Sequence, residues 1–440
     1  MRKPQDDKRY HLDTGVLHEG FRSDPATTAV AVPIYQTTAF EQGDLDHTAD
    51  VYNLRADGYT YTRIINPTNE VLEKRLAFIE RGVAALVTAS GQSANALTFL
   101  NLCTAGDNIV ASPYLYGNTW NLLKNSLRKI GIEARFVDSN DPDGFLRATD
   151  NNTRCYFGET LANPKLAPFP VRELSTAGNE LGIPVVVDNT LCSTICSPIE
   201  LGATIVTLST TKYIGGHGTS MGGAIVDSGS FPWATFPNRH PGMTSPDPCH
   251  GNSIWTAAVK QLGYLGASSF LLKARMTVMR DLGACASPFN SFLLLQGLET
   301  LPLRMKKHCE NARHVATWLH DHPLVERVVY PLFFSGRDGR LVKEMFDGYY
   351  GPMVLFEVKG GEKAGRRFMQ SLQLFYHVSN VGDSRSLATH PVSTTHTTVP
   401  PTEREKSGIR DGSVRLCVGI EHIDDIIRDL ERAIEHASHD

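Results

Sequence analysis

The chain has 440 residues, length for about two or three domains with separate cores. Hydrophobic residues make up 41% and charged residues 20%, an ordinary balance for a soluble globular protein. A net charge of −4, with both signs spread along the chain, argues against a dedicated nucleic-acid binder. The longest apolar runs, such as 183–187, are strand-sized and far short of the roughly 20 residues that a membrane-spanning helix needs.

Residues 1–10 are charged and lack the apolar core of a secretory signal, so a cytoplasmic metabolic enzyme is expected. The first sixty residues show little periodicity and read as an arm that wraps a partner subunit. From about residue 83, short apolar runs alternate with helix-period stretches. Strands are predicted at 83–88, 108–111, 135–137, 154–157, 185–188, 204–208 and 223–226. Helices are predicted from Ser90–Gly91–Gln92, over 118–130 and over 172–181, the last stopping at Gly182. This alternation predicts an α/β fold with a mainly parallel sheet covered on both faces. The Pro-, Gly- and Ser-rich stretch 236–251 reads as a surface loop. Leu293, Leu294, Leu298, Leu301 and Met305 then mark a long helical region. Strand runs at 353–358 and 414–418 and an amphipathic helix over 423–434 predict a smaller C-terminal α/β domain. The eight cysteines include no CxxC pair. Cys192 and Cys196 lack a second pair at metal-site spacing, so they read as thiols of a reducing compartment and no metal is expected.

Four local features carry chemistry. Asp188 ends the apolar run Val185–Val186–Val187, and ligands of open parallel sheets bind beyond the carboxyl ends of strands. Lys212 follows the next predicted strand, flanked by Ser209, Thr210 and Thr211 and by Gly215, Gly216 and Gly218. Hydroxyls and glycine amides suit a phosphate, and a desolvated lysine suits imine chemistry. Ser90, Gly91 and Gln92 form a strand-to-helix turn whose amides can cradle a phosphate. Tyr116 places an aromatic ring after the strand at 108–111. Each alone reads equally as a cap, a turn or a solvated side chain. Together they make the set that pyridoxal phosphate needs: a phosphate cradle, a lysine, a carboxylate for the pyridine nitrogen and a stacking ring.

From about 31 to 434 the sequence resembles the cystathionine γ-synthase-like family of Cys/Met-metabolism enzymes, in particular its sulfhydrylase branch. The motifs are AVPIYQTTAF (31–40), YTRIINPTN (61–69), SGQSA (90–94), VVVDNT (185–190), STTKYIGGHGTSMGGAIVDSG (209–229), LGACASPFNSFLLLQGLETLPLRMKKHCENA (282–312), SNVGDSRSLATHPVSTTH (379–396) and VRLCVGIEHIDDII (414–427). The resemblance implies the aspartate-aminotransferase-like fold (fold type I) with pyridoxal 5'-phosphate on Lys212, which also shuttles protons. It implies that Asp188 pairs with the ring nitrogen and that Ser90, Gly91, Gln92, Ser209 and Thr211 hold the phosphate. Tyr116 is expected to stack on the ring and Asn163 to lie near its phenolic oxygen. Arg415 is expected to clamp the substrate α-carboxylate, assisted by the backbone at Asn380. Tyr61 and Arg63 are expected to reach the phosphate of the neighbouring subunit. That implies a homodimer with shared active sites, assembled into a homotetramer, with an arm over 1–64, a cofactor domain over 65–286 and a C-terminal domain over 287–440.

The expected reaction is γ-replacement on an activated homoserine: O-acetylhomoserine and sulfide, or a thiol, give homocysteine or a thioether and acetate. The rivals are γ-elimination from a γ-substituted amino acid and, from a different class, a cofactor-free scaffold. The sequence departs from the family pattern at 52–55 and 57–59, at Asn118 and at 191–195, positions that bear on substrate choice. Asn118 stands where sulfhydrylases often carry Gly and methionine γ-lyases carry Cys.

Overall fold

The computed structural model describes residues 10–394, Thr397, Arg404 and 408–438. Residues 1–9 of the expected arm, and 395–396 at the end of the SNVGDSRSLATHPVSTTH motif, lie outside them. Seven strands form the larger sheet: β1 (Ala84–Thr88), β2 (Asn108–Ala111), β3 (Glu133–Phe136), β4 (Thr153–Glu159), β5 (Val185–Asp188), β6 (Ile205–Leu208) and β7 (Gly223–Asp227), in the order β1-β7-β6-β5-β4-β2-β3. From β3 to β6 all neighbours are parallel, and β7 alone runs against both β6 and β1.

The inner strands are largely apolar because both faces are covered, whereas the edge strand β3 is partly exposed and carries Glu133 and Arg135. Alternate residues serve opposite cores: Val185 and Val187 belong to the core shared with the helix Val171–Leu181, Val186 to the core of Phe99 and Phe157. Val185, Val186 and Val187 are each at most 1% exposed. Full burial of such a side chain contributes about 1.5–3 kcal/mol, so the strand that ends in Asp188 is firmly held. The helix Gly91–Leu102 begins where Ser90 Oγ accepts from the Ser93 amide at 3.1 Å. The helix Val171–Leu181 ends at Gly182, whose φ of 70° is the left-handed conformation that closes a helix.

A second sheet contains β8 (Val325–Val329), β9 (Met353–Val358), β10 (Tyr376–His377), β11 (Leu387–Thr389) and β12 (Ser413–Cys417), in the order β10-β11-β12-β9-β8. Its core is shared with the helices Gly361–Ser371 and Ile423–Ser438 through Phe356, Phe368, Leu430 and Ile434.

Several elements differ from expectation. The helix expected over 118–130 is instead an α-turn at Gly117–Asn121, a π-turn at Leu122–Ser126 and a 3-10 turn at Leu127–Ile130. The region of the Leu293–Met305 stripe is two helices, Pro288–Glu299 and Leu301–Asp321, divided at Thr300 ahead of Pro302. The expected surface loop at 236–251 contains the helical turn Pro241–Thr244, started by its proline, and buries His240 and Met243. The first sixty residues, expected to lack periodic structure, contain the helices Leu12–His18 and Leu45–Tyr52, the latter capped by Asp44. Among the described residues no helix is long and apolar enough to cross a membrane.

Candidate active site

The carboxyl ends of β4, β5 and β6 share one edge of the larger sheet, where Glu159 pairs in register with Asp188 and Asp188 with Thr207. Asp188 Oδ1 accepts from the Thr190 amide at 3.0 Å and the Thr190 hydroxyl at 2.6 Å, and Oδ2 accepts from Asn95 Nδ2 at 3.2 Å. The Thr190 hydroxyl also accepts the Ser209 amide at 2.8 Å, which ties the end of β5 to the segment after β6. Among the described residues no cation pairs with Asp188. Desolvation pushes its carboxyl above the usual range, partly offset by Thr190 and Asn95.

Lys212 is half-buried at this edge, and its Nζ donates to Asn380 Oδ1 at 2.6 Å. Burial, then the charge of Arg415, lowers its pKa. Gly382 lets the Asn380 loop cross close to Lys212: with φ at 79°, a Cβ there would lie 2.6 Å from the Lys212 carbonyl carbon. Beneath the same segment, buried Arg304 donates to the carbonyls of Tyr213 at 2.7 Å, Ile214 at 3.2 Å and Gly297 at 2.6 Å. Arg415, on β12, is buried and among the described residues its hydrogen-bond partners are neutral: Asn163 Oδ1 at 3.0 Å, the Asn380 carbonyl at 2.9 Å and Thr389 Oγ1 at 3.4 Å.

Ser90, Gly91 and Gln92 lie against Ser209. A Cβ on Gly91 would sit 2.6 Å from Ser209 Cβ, so this approach requires glycine. The amides of Gly91 and Gln92 open the helix, where backbone N–H groups have no intrahelical acceptor. The Gln92 side chain donates to Thr119 Oγ1 at 2.8 Å, and the Thr211 hydroxyl exchanges hydrogen bonds with Gly222, both 3.0 Å. Tyr116 presents an exposed ring whose hydroxyl accepts from Asn118 Nδ2 at 3.1 Å. Tyr61 and Arg63 stand apart from this network. Both are exposed, and the guanidinium lies 5.3 Å from the Tyr61 ring centroid.

The sequence profile of the Cys/Met metabolism PLP-dependent enzymes matches residues 13–435. The O-acetyl-L-homoserine sulfhydrylase of Leptospira meyeri is 46% identical over 433 residues, 98% of each chain. The homocysteine synthase of Schizosaccharomyces pombe is 41% identical, over 97% of this chain and 99% of its own. The chain belongs to the Cys/Met metabolism PLP-dependent enzymes. Among solved members, a putative O-acetylhomoserine (thiol)-lyase from Campylobacter jejuni, which carries an N'-pyridoxyl-lysine-5'-monophosphate, superposes with a TM-score of 0.91. It is 35% identical and covers 97% of this chain and 100% of its own. A cystathionine γ-lyase from Lactobacillus plantarum, complexed with L-serine, gives 0.83 at 28% identity, over 98% of this chain and 100% of its own.

The site of this PLP-dependent enzyme fits its cofactor on the chain's own chemistry. Among the described residues Asp188 has no counter-charge of the kind that a protonated ring nitrogen brings, and the glycine-enabled contact of Gly91 with Ser209 gathers the amides of a helix start and a hydroxyl for a phosphate. The sequence reading missed Thr190, Asn95, Glu159 and Arg304. Thr190 was legible as a hydroxyl two residues beyond Asp188, the spacing of a local side-chain turn. Glu159 carried the signal used for Asp188, a carboxylate ending an apolar strand. Asn95 reaches the site only through a tertiary contact, and Arg304 lies in the 282–312 motif, where nothing local shows that it holds the carbonyls after Lys212.

Proposed function

We propose that the chain catalyses γ-replacement on an activated homoserine, in which the Cγ–O bond of O-acetylhomoserine breaks, sulfide or a thiol bonds to Cγ, and acetate leaves. The observation that carries the amino-acid reading is Arg415: a buried guanidinium whose partners among the described residues are neutral, joined through Asn380 to the amine of Lys212. Its planar donors suit an α-carboxylate. The sulfhydrylase and homocysteine synthase relatives favour replacement over elimination.

Pyridoxal phosphate, when bound, supplies an electron-withdrawing ring that takes up the charge left at the substrate Cα. Lys212 would hold the cofactor covalently. Its amine, with a lowered pKa, then takes the Cα proton and redelivers it. Asp188 keeps the ring nitrogen charged, with Thr190 and Asn95 orienting its two oxygens. Ser90, Gly91, Gln92, Ser209 and Thr211 would hold the phosphate, Tyr116 would stack on the ring, and Asn163, which accepts from Arg415 at 3.0 Å, would lie near the phenolic oxygen. Tyr61 and Arg63 complete the phosphate site of a second copy, so the working form is a homodimer, paired into a homotetramer in the cytoplasm. The same reading divides the chain into an arm (1–64), a cofactor unit (65–286) and a C-terminal unit (287–440).

The test is mass-spectrometric product analysis with pyridoxal phosphate and O-acetylhomoserine, with and without sulfide. Homocysteine formed only with sulfide supports replacement. If 2-oxobutanoate and ammonia appear regardless of sulfide, the chain is a γ-eliminating lyase.

A further inference from the structure

Glu159 is a buried carboxylate at this edge to which no role has been given. It is 6% exposed at the end of β4 and in register with Asp188, so two carboxylates share one face at adjacent strand ends. Among the described residues neither forms a salt bridge. Glu159 Oε1 accepts the backbone amide of Tyr116 at 2.5 Å, and Oε2 accepts that of Asn163 at 3.2 Å. Those amides belong to different loops: one follows β2 and presents the exposed Tyr116 ring, the other follows β4 and presents the Asn163 side chain to Arg415 at 3.0 Å.

We propose that Glu159 is a positioning residue, a staple whose two oxygens set the Tyr116 ring and the Asn163–Arg415 clamp in one geometry. This rests on the reading that Arg415 receives an amino-acid carboxylate. Desolvation, then the charge of Asp188, pushes the Glu159 carboxyl up to about 8, while the two amide bonds favour its ionised form. A cation held at Asp188 relieves that repulsion, so seating the cofactor ring and tightening the staple are coupled. Glutamine keeps the size of the side chain but turns one acceptor into a donor facing an N–H group, so one of the two loops must let go.

The test uses the cofactor-loaded protein and L-norvaline, an amino acid with no γ-leaving group, whose binding is followed by the absorbance of the bound cofactor. In Glu159→Gln, norvaline affinity should fall at least about tenfold, the lower range for losing a hydrogen bond to a charged group. The visible circular dichroism band of the cofactor should shrink while the far-ultraviolet spectrum stays that of the wild type. Asn163→Ala should then add less in the Glu159→Gln background than in the wild type, because both act on Arg415 through one path. An unchanged visible band with norvaline affinity within twofold of wild type overturns the proposal, as do fully multiplicative effects of the two substitutions. If Glu159→Gln does not fold, Glu159→Asp decides: its shorter arm cannot span both loops, and wild-type norvaline binding in that variant overturns the staple. A wild-type protein that ignores norvaline defeats the amino-acid reading instead, and the visible band still decides Glu159.

Discussion

Lys212 and Asn380 meet through their side chains, Nζ donating to Oδ1 at 2.6 Å, while the main-chain carbonyl of the same Asn380 accepts from Arg415 at 2.9 Å. One residue therefore serves two groups through separable atoms. The sequence reading expected only the backbone contribution. Asn380→Ala removes the Lys212 contact and leaves the carbonyl to Arg415. Loss of a hydrogen bond to a charged amine costs about 1.5–3 kcal/mol. The expected outcome in steady-state kinetics is a fall in kcat of about tenfold or more with KM for the amino acid within twofold of wild type. A rise in KM with kcat unchanged would assign the side chain to substrate binding instead.

Asp188→Asn separates stability from cofactor affinity. The carboxylate is desolvated and has no cation within the described chain, so neutralising it relieves a cost in the cofactor-free protein. Asn95 can accept the exchange, because its Oδ1 is buried without a partner and can turn toward the new amide. The cofactor-free variant should melt about 1 °C above cofactor-free wild type for each kcal/mol relieved, at about 2.1 cal/mol/K per residue in a chain of 440 residues. Saturating pyridoxal phosphate should raise the melting temperature of wild type much more than that of the variant, since only wild type pairs with the ring nitrogen. Paired thermal scans with and without cofactor check both halves.

Arg415→Lys keeps the charge and loses the fork. A lysine can replace one of the contacts to Asn163 and Asn380 but offers no parallel donors to a carboxylate. KM for O-acetylhomoserine should rise by about 100-fold, equivalent to about 3 kcal/mol for two charge-assisted hydrogen bonds reduced to one. The cofactor absorbance at saturation should stay as in wild type. A lost or shifted cofactor band would mean that Arg415 acts on the cofactor and not on the substrate.

What the sequence made legible was local. The strands 108–111 and 185–188 stand out because every residue is apolar or lies at an end of the run, and Ser90–Gly91–Gln92 because a hydroxyl and a glycine open a helix straight after an apolar run. The π-turn at Leu122–Ser126 was invisible because Trp120, Leu123 and Leu127 keep helical spacing through it. β8 was missed because it is half-exposed and lacks a full apolar run, and β10 because both of its residues are exposed. The same limit holds at the site. Lys212, Asp188 and Arg415 lie in motifs, whereas the contacts of Arg304 with Tyr213 and Ile214 join positions about ninety residues apart.

Glu80 gives the site edge a pH-dependent cost. It is 1% exposed, and its Oε2 accepts from Asn189 Nδ2 at 2.8 Å, the residue after Asp188. Desolvation raises its carboxyl from 4.5 to about 7; Asn189 and Ser193 oppose the shift, and the charge of Asp188 adds to it. A raised folded-state value means that Glu80 favours the fold fully below about pH 4.5 and that this contribution is lost as pH rises through about 7. Glu80→Gln has no proton to lose. Its stability relative to wild type should therefore increase between pH 5 and pH 8, by up to about 3 kcal/mol at 1.36 kcal/mol per unit. His240 and His308, both pushed down to about 4 by burial, act in the opposite direction as pH falls below 6.5, but they are common to both proteins and cancel. Denaturant unfolding of the two cofactor-free proteins at pH 5, 6.5 and 8 measures the gap. A gap that stays constant across that range would mean Glu80 is already ionised in the fold, and the desolvation argument for this edge would fall with it.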